Sequence, residues 1–443
     1  MATDAWQLAR ERITRLWRGA QPARAADVAA ELDASNEDVR AARTAGDQET
    51  LDELRAQWRG RFPRPRTETA LRALLDHSLT ELVDLGAVRC ARSHGVLLDS
   101  VAAATPPEEA AAVDATAVRL LDAAVPAVPD AGPYDPRLRL LAPHVLALLR
   151  RFAGAPGSAD VLAVATRLAV ALHRTGDYLS AWETVRTAAA LGERTLGAEH
   201  RVVLAAHSRT GRALFRLGRY AEAEALLRRT HAAQARLFGP DDPDTLDSTH
   251  GLALVLGNLG RRAEALAFHR STAAGRRAAL GARHPLTLRS RSSLLAVLTS
   301  AELGGGATST SAQEGDEGEN DSALLSLPEE CVEHLGADHT VTVGARHNRA
   351  WALFLLGRFA EADAEIEEVT GSYLRRFGPD YPITLAARQL HARTQSALGH
   401  TEAGIALMTE VVAHREQSLG HGHPFTLAGR DLLRTLAAGR GTA

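Results

Sequence analysis

Lysine is absent from this chain of 443 residues: all 51 basic residues are arginine. A P-loop needs its lysine on the phosphates, and a pyridoxal enzyme needs one for its Schiff base. Both are excluded here. The missing lysine, with abundant Ala, Arg, Leu and Gly, fits a GC-rich genome. Cysteine is scarce too, at two residues, Cys90 and Cys331. They support neither a disulfide framework nor a cysteine-based zinc site. No apolar run approaches the roughly 18–20 residues of a membrane span. The opening MATDAWQLARER is polar and lacks the apolar core of a signal peptide, so a cytoplasmic protein is expected. An excess of either charge is also lacking: 51 basic against 54 acidic residues leave a net charge of −3. That balance gives no global pull toward nucleic acid or a membrane surface.

What is present is a repeated phrase. LFGPDDPDTL (237–246), LGARHPLTL (280–288), FGPDYPITL (377–385) and LGHGHPFTL (419–427) are near copies. Glycines recur at one constant interval, at Gly176, Gly197, Gly218, Gly239, Gly260 and Gly281. The same interval returns at Gly336, Gly357, Gly378, Gly399 and Gly420. A second phrase alternates with the first: GDYLSA (176–181), GRYAEA (218–223), GRRAEA (260–265), GRFAEA (357–362) and GHTEAG (399–404). The full period is therefore two intervals, as from Gly176 to Gly218. Ala, Leu, Arg and Glu between the glycines are good helix formers, and apolar residues recur at three- and four-residue spacing. Glycine suits a helix C-terminus in left-handed conformation. The proline of each opening phrase suits the next helix's first turn. The residue before it, Asp242, His284 or His423, sits at the N-cap. Two helices per period cannot bury their apolar faces alone, but stacked pairs can.

These residues carry a family resemblance. The chain is similar to tetratricopeptide repeat arrays of the long, kinesin-light-chain type. The small position of the first helix is Ala169, Gly211, Ala253, Ala350 and Ala392; that of the second is Ala181, Ala223, Ala265, Ala362 and Gly404. The resemblance implies an all-α fold, a right-handed α-solenoid of antiparallel helix pairs. It covers about 160–420. Six repeats are expected, beginning near 160, 200, 242, 285, 340 and 382, with a capping helix at about 424–438 inside an array spanning 158–440. The chain also resembles arrays that follow nucleotide-binding domains in actinobacterial regulators, where LLAPHVLALLRRF (140–152) matches what precedes them; that domain is missing here.

Other stretches depart from the pattern. Residues 1–62 read as three amphipathic helices, marked by Trp6, Ile13, Leu16 and Trp17, then Val28, Leu32 and Val39, then Leu51, Leu54, Trp58 and Phe62. They are either a small bundle packed on the array or a module for self-association or adaptor contacts. Residues 63–157 are expected to be a helical connector, with a degenerate repeat at 113–153. Cys90 and His94 are four apart and read as one helix face. The segment 304–322, GGGATSTSAQEGDEGENDS, should be an acidic flexible insertion. After it the helix restarts at Ser326, with Pro328 in its first turn and Glu329 completing a capping box. The acidic stretch could visit the basic end of the groove and compete with ligand.

Catalytic, cofactor and metal residues are expected to be none. HExxH, GxSxG and GxGxxG motifs are all missing. His200, His284, His339 and His423 recur once per repeat. Neighbouring helices pack about 8–10 Å apart, too far for these histidines to share a zinc ion, so helix-start capping is their expected role.

In this family the first helix of each pair lines the concave face. The resemblance therefore implies a groove of Arg167, Arg174, Ser208, Arg209, Arg212, Phe215 and Arg216 in the first two repeats. Asp247, His250 and Asn258 follow in the third, His347, Asn348, Trp351 and Phe354 in the fifth, and Gln389 and Arg393 in the sixth. In kinesin light chains asparagines at the Asn348 position hold a peptide's backbone; the other repeats here carry Arg167, Arg209, Gly251, Ser293 and Leu390 there. Guanidinium forks favour carboxylates, and an aromatic end favours an apolar anchor. The alternative is that these arginines solvate an exposed face or pair with neighbouring glutamates. The leading expectation is a non-catalytic scaffold or adaptor for a protein or peptide segment. A ligand-sensing regulator whose superhelix changes shape comes second. Polyanion binding is third, and an unrecognised enzyme last.

Overall fold

The computed structural model describes residues 80–85, 88–93, 107–126, 132–152, 157–304 and 324–438. The expected bundle at 1–62 and the insertion after Gly304 lie outside the described residues. The chain divides into two compact parts, 1–115 and 116–443.

In the first part, β1 (Thr80–Leu85) pairs antiparallel with β2 (Val88–Ser93). This corrects the helical expectation for that stretch: Cys90 stands on β2 opposite Val83. Leu82 and Leu85 mimic helical spacing, but Val83 and Val88 are β-branched and favour a pleated strand. Helix α1 (Pro107–Ala124) runs across the boundary at 115/116, and α2 (Pro136–Arg151) belongs to the second part.

The second part is an all-α solenoid of helix pairs. They are α3 (Ser158–Arg174) with α4 (Tyr178–Leu196), α5 (Arg201–Arg216) with α6 (Tyr220–Phe238), and α7 (Pro243–Asn258) with α8 (Arg262–Leu280). Then come α9 (Pro285–Gly304) with α10 (Leu327–Leu335), α11 (Thr340–Leu355) with α12 (Phe359–Phe377), and α13 (Pro382–Ala397) with α14 (Thr401–Leu419). A last helix, α15 (Pro424–Ala438), packs on α14.

Local chemistry explains the phrases. All eleven glycines of the periodic series have positive φ. At the turn phrase the amide after the glycine reaches back five residues, as in Asp177 N to Leu172 O at 3.0 Å and Arg219 N to Leu214 O at 3.0 Å, which is the Schellman closure. At the opening phrase the geometry differs from a left-handed cap. Gly197 and Gly239 combine φ of 88° and 91° with ψ of 152° and 163°, a region essentially reserved for glycine. The chain there must run out extended to the next helix. Asp242 accepts from Asp244 N at 3.0 Å, and His284, His339 and His423 accept through Nδ1 from the amides two residues on, at 3.1–3.2 Å. His200 stands at the same place without a side-chain cap bond. The Arg and Glu of GRYAEA pair at i, i+3, Arg219 with Glu222 at 2.6 Å. So do Arg261 with Glu264 and Arg358 with Glu361.

The core runs along the stack. Ala169, Ala253, Ala350 and Ala392 on the first helices, and Ala181, Ala223, Ala265 and Ala362 on the second, are at most 2% exposed. Small side chains let the helices approach. A Cβ on Gly211 would sit 2.5 Å from Leu227 Cγ. At the fourth pair the second helix is cut to nine residues. Leu324, Leu327 and Cys331 fill its place, and α9 packs directly on α11. Pro328 lies in the first turn of α10, but Ser326 makes no side-chain cap bond, which corrects the capping-box expectation; its ψ of 0° is not the extended geometry of a capping serine.

Candidate functional site

The solenoid closes on itself after five repeats. Tyr381 Oη, just ahead of α13, donates to Arg174 O at the end of α3, at 2.7 Å. His423 Nε2, just ahead of α15, bonds Arg216 O at the end of α5, at 3.1 Å. Both contacts span 207 residues. Arg174 and Arg216 are one full period apart, as are Tyr381 and His423, so the contact repeats with the period. The turn glycines make room for it. A Cβ on Gly176 would lie 3.4 Å from the Tyr381 ring, and one on Gly218 would lie 2.5 Å from Pro424 Cδ.

Inside this closed turn lies a cavity of about 350 Å³, with walls from α3, the start of α4, α5, α7, α9, α11 and α12 and the start of α13. Of the expected groove residues, Arg174, Arg212, Arg216, His250, His347 and Asn348 meet there. Ser208 and Arg209 stand beside it on α5. Ser208 Oγ donates to Asp247 Oδ2 at 3.4 Å, and Arg209 pairs with the same carboxylate at 3.2 Å. The others are occupied elsewhere. Arg167 pairs with Asp122 of α1 at 2.6 Å. Phe215 is buried beside Tyr220. Asn258 is exposed and donates to Leu254 O at 3.0 Å. Trp351 stacks on Phe354 at 5.8 Å, with Arg393 over the Trp351 ring at 5.7 Å. Gln389 Oε1 accepts from Arg415 at 2.6 Å. Asn348 Nδ2 donates to Ser292 Oγ at 2.8 Å and to Ser292 O at 3.0 Å, joining α11 to α9 across the shortened repeat.

Asp247 organises the positive wall. Besides Arg209, it pairs with Arg212 at 3.0 Å and Arg276 at 3.7 Å. Burial pushes its carboxyl up, but Arg209, Arg212, Arg276 and Arg289 together outweigh burial and hold it well below the usual carboxylate range. Burial and the neighbouring arginines lower Arg212 to about 10, still cationic at neutral pH. Burial also lowers His250, and lowers His347 to about 4, so both are neutral. Charge in the cavity therefore comes from arginine alone.

Sequence reasoning missed Arg289, which lines the cavity from α9. Its signal was available: it stands one full period after Asp247, at the same repeat position. It also missed Tyr381, Tyr178 and His173, which line the same cavity. Among the described residues no group of three or more His, Cys, Asp or Glu is placed to hold a metal ion. No described helix is long and apolar enough to cross a membrane.

Paired helices, invariant turn glycines and small interface residues define an α-solenoid of interaction repeats. Family models of the tetratricopeptide repeat match residues 160–234, 202–278 and 343–368: the chain carries tetratricopeptide repeats there. Among solved structures it is similar to a Podosopora anserina kinesin-light-chain protein with nearly identical TPR-like repeats. That likeness has 22% identity, 58% of this chain, 96% of that one and a TM-score of 0.29. BtubC (BKLC) from P. vanneervenii is also similar, with 15% identity, 54% and 91% coverage and a TM-score of 0.40. So is the TPR2AB-domain:pHSP90-complex of yeast Sti1, with 14% identity, 62% and 97% coverage and a TM-score of 0.26. No curated protein matches the chain. The tetratricopeptide fold is generally a protein-interaction scaffold and typically non-catalytic.

Proposed function

We propose that this chain is a cytoplasmic, non-catalytic scaffold that binds a protein or peptide segment of acidic and apolar character on its concave face. The carrying observation is the arginine-lined inner wall, where Arg174, Arg212 and Arg216 converge with aromatic neighbours. Guanidiniums recognise carboxylates bidentately, and Tyr178, Tyr373 and Phe377 on the same wall offer apolar contact. The test is recovery of partners by the full chain and by an Arg174→Glu/Arg216→Glu variant whose melting curve is unchanged. Loss of the wild-type partner set supports the reading, and identical recovery refutes it.

A second reading is favoured by the closure. A solenoid held shut by two hydrogen bonds, Tyr381 to Arg174 and His423 to Arg216, can shift between a closed and an opened winding. Such a shift requires a ligand with different affinity for the two forms. The chain then acts as a ligand-sensing regulator.

A further inference from the structure

The cavity inside the closed turn holds four arginines, Arg174, Arg212, Arg216 and Arg289, and no carboxylate among the described residues. The nearest, Asp247, already serves three guanidiniums, those of Arg209, Arg212 and Arg276. Arg289 makes no ion pair among the described residues, and its buried Nε meets no protein acceptor. Burial and the neighbouring Arg212, Arg174 and Arg276 press Arg289 toward its neutral form, opposed only by the shared carboxylate of Asp247, and so thinly compensated a guanidinium is costly. Folding alone gives no reason to gather these cations from α3, α5 and α9 into one enclosure. The enclosure itself has the size of small-ligand pockets, which start at about 300 Å³, and the seam at Tyr381 and His423 walls it off along one side.

We propose that this cavity is a binding site for a small, multiply charged anion bearing phosphate or carboxylate groups. Guanidinium forks accept both groups in the same bidentate geometry. Burial holds His173, His250 and His347 below, and Tyr178 and Tyr373 above, their ordinary values, so these wall residues are neutral at pH 7 and can donate or stack without repelling such a ligand. An anion bridging Arg174, Arg216 and Arg289 ties the first two repeats to the fourth. It acts on the residues whose carbonyls receive Tyr381 and His423. The inference deepens the ligand-sensing reading and rests on it only for the change of shape; the site and the shape change are measured separately.

The test uses the full chain with pyrophosphate and with citrate, at ionic strength matched by chloride, read by calorimetry and thermal melting. Saturable binding of one or both is expected, with a rise in Tm. The preferred probe tells phosphate from carboxylate chemistry. Arg289→Met should weaken that binding at least tenfold and, by relieving burial and repulsion from Arg212, Arg174 and Arg276, raise the Tm of the ligand-free protein. Arg216→Gln, read in parallel, should give the same tenfold loss without a fall in Tm. Arg137→Gln, exposed on α2 and paired with Asp135, should change neither reading. Three results would overturn the site: no saturable binding of either anion, undiminished affinity in both cavity variants, or binding only of a glutamate-rich peptide in their place. Binding with an unchanged small-angle scattering profile would keep the site and remove the sensing reading.

Discussion

Closure of the superhelix is tested most directly at two glycines that differ only in what they face. Gly218 and Gly260 occupy the same turn position, with φ of 74° and 78°. Alanine at either must enter the left-handed region, at a cost of about 1–2 kcal/mol. That cost is common to both and cancels in the comparison. The surroundings do not cancel. A Cβ at Gly260 meets nothing within 4 Å, whereas one at Gly218 lies 2.5 Å from Pro424 Cδ and 2.7 Å from Pro424 Cγ. Pro424 opens α15 and has no soft torsion with which to yield. Either the last helix is displaced or the seam opens. Overpacking of this kind costs about 1–3 kcal/mol. Opening forfeits the His423–Arg216 hydrogen bond, about 1 kcal/mol, along with its packing. Gly218→Ala should therefore be about 1–3 kcal/mol less stable than Gly260→Ala. The assay is urea unfolding of both variants beside the parent, with small-angle scattering on each. Gly218→Ala should also show a larger radius of gyration. Equal stabilities within about 0.5 kcal/mol, together with identical scattering profiles, would refute a closed turn.

Two further outcomes follow from the interior charges. Asp247→Asn removes the counter-charge of three guanidiniums and should cost about 3–5 kcal/mol. Because the folded carboxyl is held below its unfolded value, about 4, its contribution is present above that pH and lost as pH falls below it. The parent should accordingly lose stability on acidification below about pH 4 by a margin that Asp247→Asn lacks; parallel pH profiles would refute this account. Deleting 305–321, which carries Glu314, Asp316, Glu317, Glu319 and Asp321, should tighten pyrophosphate binding to the cavity, and equal affinity would remove the idea of an acidic competitor.

The sequence was a good guide to everything built within one period. Glycine at every half-period, proline or its substitute one step past the N-cap, and buried alanine at fixed offsets specify where helices stop, start and touch. Each acts through hydrogen bonds or contacts only a few residues away. The hairpin at 80–93 escaped because its linking residues, Gly86 and Ala87, are not the Asn-Gly or Asp-Gly pair that announces a two-residue turn. Of the residues expected in the groove, Arg174, Arg212, Arg216, His250, His347 and Asn348 line one cavity, whereas Arg167, Gln389 and Asn258 are held by partners their repeat position does not reveal.

Local phrases, then, determined by themselves that this chain would be a stack of helix pairs. How far the stack turns per repeat was decided only in three dimensions. That rotation is the sum of many small packing angles, and it brings Tyr381 to Arg174 and His423 to Arg216 across 207 residues. No neighbouring residue encodes such a contact, and beside it lies a partly open, arginine-lined cavity.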